Sequence, residues 1–252
     1  MEKKSNKGLI ALIILLTILV LGLGTYVAYD KFLRPSETKP ATKEDTDKKD
    51  KTDTSVSKKD STKPIVYDEN TSQYEKVPII NIDSVDADRL NKKIKDFAGT
   101  RDTYDENFTI NYDFYENSDV LSIIVKSTTP GSSVYYVAAN INTKTGKEVT
   151  NKALIEIKNI NESDFTSKVF GAYEKDLEDT GALDTAKSQK YYGGHSSVYE
   201  GTQNKIKNTK LDDFDMYLNS NGELCVVADV YLIAGPEHNE YIYNLDTNSR
   251  LK

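Results

Sequence analysis

The chain has 252 residues, with 33 Lys and Arg against 40 Asp and Glu, and a net charge of −7. A surplus of acid repels nucleic acid and anionic lipid headgroups, so neither is an expected partner. One cysteine excludes an intrachain disulfide, and no three or four His, Cys or carboxylate residues stand at the helical or turn spacing of a zinc site.

Residues 1–8 form a short tail with three lysines and one glutamate. Leu9 to Tyr29 then runs without a charge. As a helix this stretch would be about 31 Å long, the thickness of a bilayer's hydrocarbon core. A cleaved signal peptide would have a shorter apolar core and small residues at its exit. Here the exit carries Tyr26 and Tyr29, suited to the aromatic belt, and Lys31 and Arg34, which can snorkel to headgroups. The expected reading is an uncleaved single-pass anchor at the cell membrane, with the N-terminus cytoplasmic and the C-terminal domain extracellular.

Residues 30–66 are almost entirely Lys, Asp, Glu, Thr, Ser and Pro. Such a composition buries too little apolar surface to offset chain entropy, which predicts a disordered spacer. A flexible coil of about 35 residues spans roughly 30–35 Å. The tail and the spacer each hold about two net positive charges, so residues 67–252 carry about −11 of the total −7.

Residues 67–252 are long enough for one domain with its own core. Val77 to Ile82 reads as a strand with Pro78 at its start or edge. Asp83 or Ser84 caps a short helix with Leu90, Ile94 and Phe97 on one face, ended by Gly99. Three segments, the alternating Phe108 to Tyr115, Val120 to Val125 and Ser133 to Ile141, predict an antiparallel meander whose middle strands are covered on both sides. Glu162 to about Leu177 is a second helix, with Phe165, Val169, Phe170, Tyr173 and Leu177 on its buried face. Phe214 to Leu218, Asn221-Gly222 and Leu224 to Ile233 predict a hairpin, and Tyr241 to Leu245 a last strand. The fold class is α+β: an antiparallel sheet with two packed helices, preceded by a transmembrane helix and a disordered spacer.

Catalytic motifs are missing from this pattern. No P-loop, dinucleotide fingerprint or nucleophile elbow occurs, and the acidic clusters lack the glycine and terminal glutamate of a calcium loop. No cofactor and no metal is expected. Cys225, inside an apolar strand, is expected to be a small buried hydrophobe. Asp229, set in the same strand, faces solvent or a backbone donor near the sheet's edge, with a perturbed carboxylate as the alternative. The most unusual stretch is Tyr191-Tyr192-Gly193-Gly194-His195-Ser196-Ser197-Val198-Tyr199. Tyr191, Tyr192 and His195 are the candidate ligand-binding residues, since exposed tyrosine stacks on sugar rings or anchors protein partners. The competing reading is a structural loop whose rings pack back on a helix.

The turn Asn140-Ile141-Asn142-Thr143-Lys144-Thr145-Gly146-Lys147-Glu148-Val149-Thr150, the opening Val77-Pro78-Ile79-Ile80 and the helix around Leu90-Asn91 and Ile94 resemble a known family. They are similar to the extracytoplasmic domain of the RsiV-like and PdaC-like envelope proteins (DUF4163/DUF3298). In that family a strand enters such a turn just before a short helix; Asn142 stands where Asp is usual, and Val149 where Leu is. The resemblance implies a sheet with packed helices outside a Gram-positive-type cell, binding or sensing rather than catalysing. Some members bind lysozyme as membrane anti-sigma factors, and others add a polysaccharide deacetylase domain. Neither activity carries over, because an eight-residue tail is too short to hold a sigma factor and no deacetylase metal set follows.

The leading expectation is therefore a membrane-anchored extracytoplasmic binding or sensing module at the cell envelope, not an enzyme. Its partner would be a cell-wall polymer or an extracellular protein. Two alternatives stand beside it: a wall-modifying enzyme using His195 with a carboxylate, and a structural assembly subunit of the envelope.

Overall fold

The computed structural model describes residues 56–69, 76–102, 108–128, 134–191, 193–233 and 238–251. The expected tail, the anchor at 9–29 and most of the spacer lie outside the described residues. Among those described, no helix is long and apolar enough to cross a membrane.

Strands β1 (Val66–Glu69) and β2 (Val77–Ile80) form an antiparallel pair, followed by helix α1 (Val85–Asp102). The expected meander is present as β3 (Thr109–Asn117), β4 (Val120–Thr128) and β5 (Val134–Asn142), in that spatial order. Four helices follow: α2 (Asn151–Ile157), α3 (Glu162–Asp179), α4 (Leu183–Ser188) and α5 (Val198–Asn208). After a 3-10 turn at Leu211–Asp213 comes a second antiparallel sheet in chain order, β6 (Met216–Leu218), β7 (Leu224–Tyr231), β8 (His238–Asn244) and β9 (Ser249–Arg250).

The α+β class holds, with five helices where two were expected and antiparallel sheets in place of one. Three of the five, α2, α4 and α5, are only 7, 6 and 11 residues long. Helices that short carry too few turns to show a 3.6-residue stripe. Helix α1 also runs past Gly99, which lies inside it, to Asp102.

Alternation sorts these elements into four layers. On one face of the first sheet Leu121, Ile123, Val125, Val137, Ala139 and Ile141 meet Leu90, Ile94 and Ala98 of α1. The other face turns Ile124 and Ala138 toward Tyr217, Cys225 and Val227 of the second sheet. Behind that sheet, Met216, Leu218, Val226, Ala228 and Tyr243 pack on Leu154, Phe165, Val169, Tyr173 and Ile206 of the helices. From Val120 to Val125 strand β4 is apolar apart from Ser122, because both of its faces are covered there. Cys225 is fully buried, as its apolar neighbours predict.

The two sheets are joined by side chains rather than by a shared backbone ladder. Strand β5 is an edge, and its outward N–H groups would be left open. Instead Val134 N donates to Asn239 Oδ1 (2.9 Å), Tyr136 N to Glu240 Oε2 (2.7 Å) and Ala138 N to Asp215 Oδ1 (2.8 Å). Deeper in, Ser122 Oγ donates to Asn140 Oδ1 (2.7 Å) and accepts from Leu218 N (3.1 Å). Asn140 Nδ2 donates to Met216 O (2.7 Å). Ser122 and Asn140 are both buried, bond to each other within the first sheet, and each makes one bond across the joint to β6.

The expected spacer boundary also moves. Residues 56–66 fold onto the domain: Val56 N donates to Lys144 O (3.0 Å), and Val56 and Ile65 pack against the α1 core. Asn81 is buried, accepts from Asp60 N and donates to the carbonyls of Asp60, Lys63 and Pro64. One buried amide thus orders a segment whose composition alone reads as unstructured.

The turn after β5 is built as its residues suggest. Asn142 Oδ1 accepts from Lys144 N (3.0 Å) and Thr145 N (2.8 Å), an Asx turn. Gly146 takes φ +64°, and a Cβ there would come within 2.8 Å of Ser84 Cβ. Thr150 then caps α2 by accepting from Ala153 N. Ser84 caps α1 in the same way, accepting from Ala87 N at 3.1 Å.

Candidate functional site

Ser197 opens α5 with a capping box: its Oγ accepts from Glu200 N, and Glu200 Oε2 accepts from Ser197 N. That cap brings the preceding glycine loop onto the end of β7. The Tyr191 ring stacks on Tyr231, with centroids 4.0 Å apart and planes 17° from parallel. Two glycines make the space: a Cβ on Gly194 would sit 2.1 Å from the ring, and one on Gly201 would sit 2.8 Å from it. Tyr199 packs edge-on to Phe170 and donates to Glu174 Oε1 (2.6 Å). That hydrogen bond, with burial behind it, pushes its phenol up to about 12.

Tyr191 is therefore held as packing for α5 and β7. His195 is exposed, and among the described residues no carboxylate lies within hydrogen-bond reach of it. Tyr192 lies outside the described residues. Neither Tyr191 nor His195 lines the three clefts described below.

What it does bring together follows from the period of β7. Cys225, Val227, Asp229 and Tyr231 share the face turned to the first sheet, opposite Asn244, Ile242, Glu240 and His238 of β8. The first sheet covers the apolar end of this face. At the other end Asp229 stands directly across from Glu240, and like charges so paired repel. Three donors offset the repulsion. Lys205 of α5 forms an ion pair with Asp229 Oδ2, His238 Nδ1 lies 2.8 Å from Asp229 Oδ1, and Tyr136 N holds Glu240.

A cleft of about 220 Å³ opens here, lined by Lys205, Asp213, Asp229 and Glu240 among others. A neighbouring cleft of about 280 Å³ is lined by Lys93, Glu148 and Asp212. Phe214 and Asp215 line both. Together the walls carry six carboxylates and two lysines. Asp215 is tied to Ala138 N and to Lys93 Nζ, at 2.8 and 3.0 Å. Asp212 and Asp213 make no side-chain hydrogen bond or ion pair among the described residues and carry open negative charge.

The chemistry available is recognition of positive charge. His238 oriented by Asp229 has the geometry of a general base and its positioning acid, but no activated nucleophile accompanies it among the described residues. Burial pushes the Cys225 thiol up to about 12, so it stays protonated at neutral pH. Thr202 Oγ1 accepts from Tyr231 N, and Thr209 Oγ1 donates to the Lys205 carbonyl. Sequence reasoning passed over Lys205 and His238. The available signal was Asp229 interrupting an apolar strand, with polar residues at alternate positions 238 and 240 of the next.

The sequence matches no family model and no curated protein.

Proposed function

We propose that the chain is a membrane-anchored extracytoplasmic binding or sensing module of a Gram-positive-type cell envelope, and that its acidic cleft receives a cationic protein or peptide. The observation that carries this reading is the charge of the cleft walls, where six carboxylates face two lysines. Such a surface raises the encounter rate with basic partners and rejects acidic ones. The uncharged run at 9–29 supports the anchor, and the turn at 140–150 supports the likeness to envelope domains, some of which bind lysozyme.

The test is titration of the full-length chain with a lysozyme-type basic protein at low and high salt. Binding that falls with salt, and falls again in Asp212→Asn/Asp213→Asn, is the expected result. Silence with every basic protein tried, at low salt, would remove the reading. Location has its own test: external protease should consume the domain on intact cells, and protection until permeabilisation would place it inside.

A second reading is favoured by one contact, His238 Nδ1 to Asp229 Oδ1 at 2.8 Å. It is a wall-modifying enzyme with its base at His238 rather than His195. A His238→Ala variant that leaves turnover of wall fragments unchanged would exclude it.

A further inference from the structure

The inter-sheet joint borders a further cleft, which shares no lining residue with the acidic one. Register places Asn111, Lys126 and Tyr136 in one row across β3, β4 and β5, with Asp113 and Ile124 in the next. Tyr115 lies two residues beyond Asp113 on the same face, stacked nearly parallel to Tyr217 of β6 with centroids 5.9 Å apart. These residues border a cleft of about 250 Å³.

Several polar groups of this cleft are open. Asn111, Asp113 and Lys126 are exposed, and none makes a side-chain hydrogen bond or ion pair among the described residues. The Tyr115 and Tyr136 hydroxyls likewise have no protein partner there. Both rings are half-buried, and burial raises both phenols, so each stays protonated and able to donate. The site thus offers aromatic faces, donors from Lys126, Asn111 and the two phenols, and acceptors from Asp113 and Asn111. Asp113 and Lys126 cancel in charge, so the rim selects neither cations nor anions.

An uncharged ring bearing both donors and acceptors matches that set. We infer that the tyrosine cleft binds one pyranose unit of a neutral glycan, the sugar's apolar face on a tyrosine ring and its hydroxyls on the rim. The volume lies just below the range of about 300–1,000 Å³ for small-molecule pockets, which suits one ring with its neighbours projecting outward. This site is separate from the acidic cleft and does not depend on that cleft's ligand.

The experiment is calorimetric titration of the full-length chain, in a zwitterionic detergent without a sugar headgroup, against chitotetraose and maltotetraose. Saturable binding of at least one, with Kd of about 1 mM or tighter, is expected. Raising the salt should leave it unchanged. Asp113→Ala, Lys126→Ala and Tyr136→Ala should each weaken it by about tenfold. The first two remove side chains without protein partners and leave the fold intact, while Lys92→Ala on α1 serves as the surface control. No binding of either saccharide would overturn the inference. So would binding that survives both Asp113→Ala and Lys126→Ala, or binding lost equally in the control.

Discussion

In the acidic cleft Asp215, Asp229 and Glu240 are each held by named donors, whereas Asn111, Asp113 and Lys126 at the tyrosine cleft have none. Both clefts border the same inter-sheet joint. In the first, charge contributes to the fold as well as to any ligand, because the carboxylates close a strand edge and anchor two lysines. In the second, Tyr112 donates to Asp68 of β1, while Asn111, Asp113 and Lys126 make no side-chain bond among the described residues and remain available. The difference separates the cost of mutation from its effect on binding, and it can be broken at several points.

The largest effect is expected at Asp215. Asp215→Ala leaves the Ala138 N–H without an acceptor and Lys93 without its ion pair, and should cost about 2–3 kcal/mol in urea unfolding. Asp229→Asn should cost less, about 1 kcal/mol, because Lys205 and His238 retain access to water. A loss at Asp229 larger than at Asp215 would mean that strand-edge closure is not what holds the joint.

Acid should probe the paired carboxylates more gently. The Glu148 N–H, and then Arg89, hold the Asp86 carboxyl below its ordinary 3.8. A carboxyl depressed in the folded state adds stability that is complete above 3.8 and is lost as pH falls through the lower folded value. Melting followed below pH 4 should therefore steepen in the wild type and flatten in Asp86→Asn. Asp176 has the opposite sign, because burial outweighs Arg250 and raises its carboxyl. Its stabilising contribution is present below 3.8 and fades as pH rises through the raised folded value, so Asp176→Asn should remove that part of the pH dependence.

The smallest effect is expected at the open cleft. Asp113→Ala and Lys126→Ala should change unfolding stability by no more than about 0.5 kcal/mol. A loss several times larger in either would show that these side chains belong to the fold after all.

Sequence patterning revealed these regions unequally. Phe165, Val169 and Tyr173 announced α3 because 18 residues give the helical period room to repeat, and β4 was visible as an apolar run covered on both faces. Helix α5 was missed although Ser197 and Glu200 spell a capping box, because the helix is short and Gly193 and Gly194 just before it suggested a loop. Folding of 56–66 depends on Asn81, whose burial no composition window reveals. The clefts were least legible. Asp229, Lys205 and His238 meet only once a helix, a strand and its neighbour are assembled, and Asn111, Lys126 and Tyr136 share a row only through register.

The sealed edge of β5 has a colloidal consequence. An unoccupied row of amides at 134, 136 and 138 would invite a neighbouring molecule to extend the sheet, a hazard for proteins crowded together. With Asn239, Glu240 and Asp215 already seated on those amides, strand addition at this edge is blocked from within the chain. The same three acceptors should slow hydrogen–deuterium exchange along that edge, giving spectroscopists a direct gauge of whether the seal is shut.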